Sequence, residues 1–239
     1  MNKYTELLDL INTKKRWGSD SDFFCDVISK STIRIIELYY EDLETGNIIR
    51  ILPLLRQVQE NCVALLGFGT NTLTVKEFAE SKLDPKRIIR RILASGKEDE
   101  DKVIRLSEYM KGIKCALDKY AHTNLDGLML LFIEDHQTYE TMKFSKLVVQ
   151  FVISMVEILF IPMANHLYKT KMALPVLNQI GHELKGLGSL RYTADKLPEG
   201  HKEFFGNSEV LKDYFRKLIV QFKEQIKVSQ DFFKEGKEA

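Results

Sequence analysis

Apolar residues recur every three or four positions along most of the chain, which is the spacing of an amphipathic α-helix. Sustained alternation of apolar and polar residues between turn signals, the pattern of a strand, is missing from the sequence. The helical spacing is clearest towards the end of the chain, at Leu211, Phe215, Leu218, Phe222 and Ile226. The pattern predicts an all-α fold, an irregular multi-helix bundle.

Helix-start and helix-end signals divide this pattern into ten helices. Asp84 before Pro85 combines an N-cap with a proline at the first helical position. Thr74 and Glu77 have the spacing of a capping box, and the glycines in 67–71 indicate a helix end followed by a loop. The predicted helices are 2–14, 21–44, 48–67, 74–82, 85–95, 99–121, 124–141, 144–168, 171–185 and 208–235.

The most apolar stretch, LVVQFVISMVEILFIPM at 147–163, is shorter than the roughly 20 residues of a membrane-spanning helix. Three polar residues form one stripe along it, at Gln150, Ser154 and Glu157. Because a glutamate in the middle of a bilayer is costly, we expect a buried bundle helix and no membrane contact. We expect Glu157 to face the region of Arg56 and His122. The same helix, 147–163, is a candidate face for a homodimer.

The chain has 239 residues, of which 44% are hydrophobic and 29% charged, and its length suits one domain. We expect a helical bundle over 1–200, with a C-terminal helix in 201–239 packed on it to give a single domain overall. The net charge of +1 does not favour a general binder of nucleic acid or membrane surfaces, although it leaves room for a local patch.

Three cysteines, Cys25, Cys62 and Cys115, lie in apolar-periodic segments and form no C-x-x-C pair. The N-terminus has no signal-peptide pattern. Buried, reduced thiols in a cytoplasmic protein are therefore expected. The five histidines are scattered and have no zinc-ligand spacing, and no nucleotide-binding loop is found, so we expect no metal and no cofactor.

Two segments contain candidate catalytic residues. In LLRQVQE, residues 54–60, Arg56 and Glu60 are one helical turn apart. They form either a surface ion pair, worth on the order of tenths of a kcal/mol, or a polar cluster inside a groove of the bundle. In YAHTN, residues 120–124, His122 stands at a helix junction, where it is either a hydrogen-bonded corner or a proton-transfer residue.

An L-L-R-x-x-x-E helix followed by Y-x-H-x-N at the start of another apolar helix resembles divergent members of the HEPN-like superfamily. The resemblance extends over about residues 20–170. It implies a HEPN-like all-α core, a bacterial toxin or anti-phage defence protein, and metal-independent ribonuclease activity. Active members carry an arginine four to six residues before the histidine. This chain has none there, so Arg56 on another helix would have to supply that charge.

The mechanism that the resemblance implies is specific. His122 would take the proton of a 2′-hydroxyl as general base, and Arg56 would stabilise the charge of the phosphorane. Glu60 and Asn124 would orient these two groups. RNA or a nucleotide is then the expected ligand. The alternative is a non-catalytic helical interaction module with a protein partner. If Arg56 and His122 converge in a cleft, catalysis on RNA is favoured. If a packed core separates them, the non-catalytic interaction module is favoured.

Two further surfaces have both a functional and a plain interpretation. Arg87, Arg90 and Arg91 share one helix face, which is either a phosphate-binding patch or a solvated basic face neutralised by nearby acids. His182, in GHELKG, lies opposite an apolar face and beside Lys185, which is the surface that a phosphoacceptor histidine needs. Histidine phosphotransfer through His182 is therefore a second alternative, beside an ordinary solvated helix face.

Overall fold

A computed structural model describes residues 4–13, 16–48, 51–80, 83–96, 100–121 and 139–170, together with Asp213, Lys217 and Val220. Every regular element in these ranges is an α-helix, so the prediction of an all-α fold is confirmed. The predicted helix at 171–185 and most of the predicted helices at 124–141 and 208–235 lie outside the described residues. The HEPN-like core and the division at residue 200 stay predictions.

The described ranges between residues 4 and 170 form seven helices, and Asp213, Lys217 and Val220 are also helical. The seven helices are α1 (Thr5–Thr13), α2 (Asp20–Thr45), α3 (Ile51–Gly69), α4 (Val75–Ala79), α5 (Pro85–Ser95), α6 (Glu100–Ala121) and α7 (Tyr139–Tyr168). The long helix α7 packs against both α2 and α3, and α3 also packs against α6. Among the described helices, none has the combination of length and apolar character that crossing a bilayer requires.

The predicted helix starts at α4 and α5 are confirmed by their caps. The Thr74 hydroxyl accepts a hydrogen bond from the backbone N–H of Glu77 at 3.2 Å, and the Thr74 N–H donates back to the Glu77 carboxylate at 3.1 Å. At α5, the Asp84 carboxylate accepts from the backbone N–H of Lys86 at 3.0 Å, next to Pro85 at the first helical position. Both caps satisfy N–H groups that a helix start leaves without an intrahelical partner.

The predicted end of α3 at residue 67 is two residues too early, since α3 continues to Gly69. The left-handed residue that follows is Asn71, with φ of 56°. Gly67 serves packing instead, because a Cβ there would lie 2.6 Å from the Cβ of Leu73. Gly69 likewise lies against Leu167 of α7. The two glycines let the end of α3 approach its neighbours closely.

The predicted break between 141 and 144 is wrong, because α7 is continuous from Tyr139 to Tyr168. The sequence YETMKF at 139–144 contains neither glycine nor proline to end a helix. Every described side chain from Val152 to Ile161 is buried within the chain itself. The predicted buried helix is therefore confirmed. The predicted homodimer through helix 147–163 stays a prediction, because nothing is described of the side chains of Leu147, Val148 and Phe151.

Glu157 is fully buried in the middle of α7. Its Oε1 accepts a hydrogen bond from the Tyr4 hydroxyl at 2.7 Å and another from the Tyr40 hydroxyl at 3.2 Å. Glu157 does not meet Arg56, whose side chain is 74% exposed and paired with Glu60, and His122, the other part of this expectation, lies outside the described residues. A carboxyl group removed from water is tolerated only when hydrogen bonds replace its hydration. The two tyrosines supply these bonds, and they join α1 and α2 to α7.

Replacing Tyr4 by phenylalanine keeps the ring and removes one of these donors. Because a buried polar group that loses a partner costs about 1–3 kcal/mol, we expect Tyr4→Phe to lower the free energy of unfolding by about that amount in urea denaturation. Tyr40→Phe is the matched control, with a smaller expected loss because its bond to Glu157 is longer and only part-buried. Unchanged stability of Tyr4→Phe would contradict this role.

Candidate functional site

Arg56 and Glu60 form an ion pair on the outer face of α3. The Arg56 Nε lies 3.2 Å from the Glu60 Oε1, and the two side chains are 74% and 55% exposed. Gln59, between them in sequence, turns the other way, and its Nε2 donates to the backbone carbonyl of Met110 on α6 at 2.8 Å. The described part of the proposed catalytic cluster is therefore an exposed pair beside the contact between α3 and α6.

Three of the predicted site residues lie outside the described residues. His122 follows the last residue of α6, Ala121, and Asn124 comes two positions later. His182 belongs to the range 171–212, which is also not described. The convergence of Arg56 with His122 and Asn124, and the phosphoacceptor role of His182, stay predictions.

Two of the three arginines of the predicted basic patch are engaged by one carboxylate. Arg91 makes two parallel hydrogen bonds to Glu77, at 3.1 and 3.0 Å, and also donates to the backbone carbonyl of Thr72 at 2.8 Å. Arg87 pairs with the same carboxylate at 3.2 Å. Arg90 is exposed. A phosphate group would have to compete with Glu77 for Arg87 and Arg91, so their arrangement favours the interpretation as a neutralised basic face.

Glu77 is thus both the capping residue of α4 and the acid that ties α4 to α5. Its hydrogen bonds with Arg91, and then that from the Thr74 N–H, lower the pKa of its carboxyl to about 2. The cause is local, because each of these donors stabilises the charged form of the carboxylate.

A buried acid that sequence reasoning missed lies on α2. Asp26 is only 2% exposed. Its Oδ2 accepts from the indole N–H of Trp17 at 2.9 Å, and its Oδ1 accepts from the Tyr168 hydroxyl at 2.9 Å. The Tyr168 oxygen also lies 3.1 Å from the Ser29 hydroxyl. Burial, followed by the negative charge of Asp26, raises the pKa of Tyr168, so its hydroxyl keeps its proton and acts as a donor.

An apolar ridge, consisting of Trp17, Phe23 and Val27, lies on the surface above this buried acid. These side chains are 51%, 38% and 46% exposed, respectively. The Trp17 and Phe23 rings meet edge to face with their centroids 4.9 Å apart, and Phe23 meets Phe24 in the same way at 5.4 Å. Phe24 in turn packs against Phe68. The ridge is therefore supported from below by the aromatic rings of the interior.

The sequence contains a signal for this ridge. Phe23 and Val27 are one turn apart and lie on the same face of α2 as the charged residues Asp20 and Lys30. An apolar pair on the charged face of an amphipathic helix is out of register with the core-facing positions. Trp17 precedes the helix and carries no such periodic signal. Its position depends on the hydrogen bond to Asp26.

The structure describes the side chains of two cysteines. Cys25 and Cys62 are buried free thiols, as expected, and burial raises the pKa of the Cys62 thiol. Nothing is described of the Cys115 side chain. Within the ranges given above, no group of three or more histidine, cysteine, aspartate or glutamate side chains is arranged to hold a metal ion.

Comparison with protein-family models, curated proteins and solved structures gave no significant match to this chain.

The lowered pKa of Glu77 predicts the acid limit of its ion pairs. A carboxylate with a depressed folded-state pKa stabilises the fold above its unfolded-state pKa, and this contribution is lost as the pH falls through the folded-state pKa. We therefore expect the Glu77 carboxyl to remain charged at about pH 4 and to titrate near pH 2 by carbon-13 NMR. In Arg91→Gln the titration should shift towards the ordinary glutamate range. An unshifted titration in that variant would contradict the assigned cause.

The ribonuclease hypothesis makes a direct prediction. The protein should degrade total RNA, His122→Ala should abolish the degradation, and Arg56→Ala should reduce its rate by roughly a hundredfold if Arg56 stabilises the phosphorane. Arg34→Ala, which removes an exposed arginine from α2, is the matched control and should leave the rate unchanged. Identical electrophoretic profiles for the wild-type protein, His122→Ala and buffer alone would refute the hypothesis.

Proposed function

We propose that this chain is a helical interaction module that binds a protein partner through the apolar ridge. The observation that carries the proposal is that Trp17, Phe23 and Val27 are between about two-fifths and one-half exposed, while the Trp17 ring packs on Phe23 and Val27 follows Phe23 by one turn on the same helix face. Scattered apolar residues are ordinary on a protein surface, whereas a contiguous apolar patch marks an interaction site. Tryptophan and other aromatic residues are also enriched among the residues that dominate binding energy.

The ridge is organised before a partner arrives. The Trp17 indole is held at its N–H by Asp26 and at its ring by Phe23. Asp26 is itself held by Tyr168 at the end of α7. A side chain that is already fixed loses little conformational entropy on binding. An aromatic group held in this way therefore contributes more of its contact energy to affinity than a free surface aromatic does.

The charges around the ridge define the chemistry of the partner surface. Asp20 and Asp22 are exposed on one side of the ridge and Lys30 is exposed on the other. We expect an apolar protein surface that carries a basic group at one end and an acidic group at the other. This proposal concerns α2, whereas the proposed action on RNA concerns Arg56 and Glu60 on α3, so the two are tested separately.

Photo-crosslinking in the cell that produces the protein tests the proposal. p-Benzoylphenylalanine replaces Val27, which keeps the ridge apolar, and the matched control carries the same residue at Lys76, an exposed position on α4. We expect irradiation to give a covalent protein adduct from position 27 and none from position 76. Adding Phe23→Asp should abolish the adduct from position 27 because it places a charge in the contact.

The absence of any adduct from position 27 above the level at position 76 would overturn the proposal. An equally strong adduct in the presence of Phe23→Asp would do the same, since binding would then not depend on the ridge. Circular dichroism of each variant verifies that the helical fold is retained.

A further inference from the structure

The exposed residues at the start of α2 have a symmetric order. Asp20, Phe23, Val27 and Lys30 are all exposed, and they are separated by three, four and three positions. Read in either direction, the order is a charged residue, two apolar residues and a charged residue of the opposite sign. Residues at these spacings lie along one face of a helix.

Two copies of such a face are complementary when they pack antiparallel. If the crossing point lies midway between Phe23 and Val27, Phe23 of one copy meets Val27 of the other, and the reverse contact forms by symmetry. Asp20 of each copy then meets Lys30 of the other. A two-fold interface has this property, in which the contact from i to j is repeated from j to i. The apolar pairs occupy the centre and the ion pairs form the rim, as in known interfaces.

We propose that the protein partner of the apolar ridge is a second copy of this chain, bound through an antiparallel pair of α2 helices. The inference rests on the proposed function, since it identifies the partner of the same surface. Trp17, next to Phe23, would extend the apolar centre at each end of the contact.

The charges along α2 also select this register. Lys30 and Arg34 are both exposed further along the same face. A pairing that is shifted so that it centres on Lys30 would bring the two Lys30 ammonium groups together, and like charges in contact disfavour that arrangement. The contact centred between Phe23 and Val27 instead pairs opposite charges twice.

Among the described residues, neither Asp20 nor Lys30 takes part in an ion pair within the chain. Both charges are therefore available to a second copy, unlike Arg87 and Arg91, which already share Glu77. In the segment 147–163, the described side chains from Val152 to Ile161 are buried and offer no comparable face.

Two charge reversals test the inference with the full chain. In Asp20→Lys, a self-pair would place lysine against lysine, and in Lys30→Asp it would place aspartate against aspartate. When the two variants are mixed, each lysine faces an aspartate. We expect a concentration-dependent dimer for the wild-type protein in sedimentation equilibrium, at least a tenfold weaker dimer for each variant alone, and recovery of the dimer in the equimolar mixture.

The single tryptophan provides a second readout, because it lies at the edge of the proposed contact. Its emission should shift to shorter wavelength as the wild-type protein is concentrated, and the shift should be lost in Lys30→Asp. Lys111→Asp, at an exposed position on α6, is the matched control for a lysine-to-aspartate change and should behave like the wild-type protein.

A wild-type protein that sediments as a monomer up to its highest soluble concentration would overturn the inference. Dimers that persist equally in both single variants would overturn it as well, since another surface would then be responsible. If the wild-type protein is monomeric but position 27 crosslinks to a different protein, the proposed function stands and self-association fails. If position 27 gives no adduct, both fail.

Discussion

Three acidic residues are buried among the described residues, and two of them, Glu157 and Asp26, are the constraint on which the rest of this structure depends. Glu157 and Asp26 lie inside the bundle, and an acid in that position is tolerated only when donors replace the lost water. The donors are aromatic side chains in both cases, namely Tyr4 and Tyr40 for Glu157, and Trp17 and Tyr168 for Asp26. These bonds hold the N-terminal segment and α2 in one arrangement against α7, because a shift of α7 by one helical turn would separate Glu157 from Tyr4 and Tyr40 and would separate Asp26 from Tyr168.

The two faces of helix α2 have different roles. Its inner face carries Asp26 and contacts α3 and α7, and its outer face carries Phe23 and Val27 of the apolar ridge. The Trp17 indole joins the two faces, since it is exposed and yet bonded to a buried acid. The geometry of the surface is therefore set by the interior. In contrast, the ion pair of Arg56 and Glu60 joins two residues that lie one turn apart on the same helix.

Local signals in the sequence were sufficient for the helical class and for the caps of α4 and α5, because a cap is formed by residues three positions apart or fewer. They were insufficient where a distant residue decides the outcome. Gly67 resembles a helix stop, yet it lies inside α3 because Leu73 folds back against it. The stripe on α7 correctly indicated that Glu157 needs a partner. It could not identify Tyr4, which is 153 positions away. For Arg56 and Glu60, the sequence leaves two alternatives, a surface ion pair and a cluster inside a groove. Only the exposure of the two side chains in the structure decides between them.

The two aromatic–carboxyl clusters also determine when the fold can be completed during synthesis. Tyr4 and Trp17 leave the ribosome early, but the clusters they join are completed only by Glu157 and Tyr168, so each spans more than 140 positions of the chain. Contacts between such distant positions form slowly because the intervening chain must be ordered first. We therefore expect the polar side chains of these clusters near α1 and on α2 to remain hydrated until α7 has been synthesised.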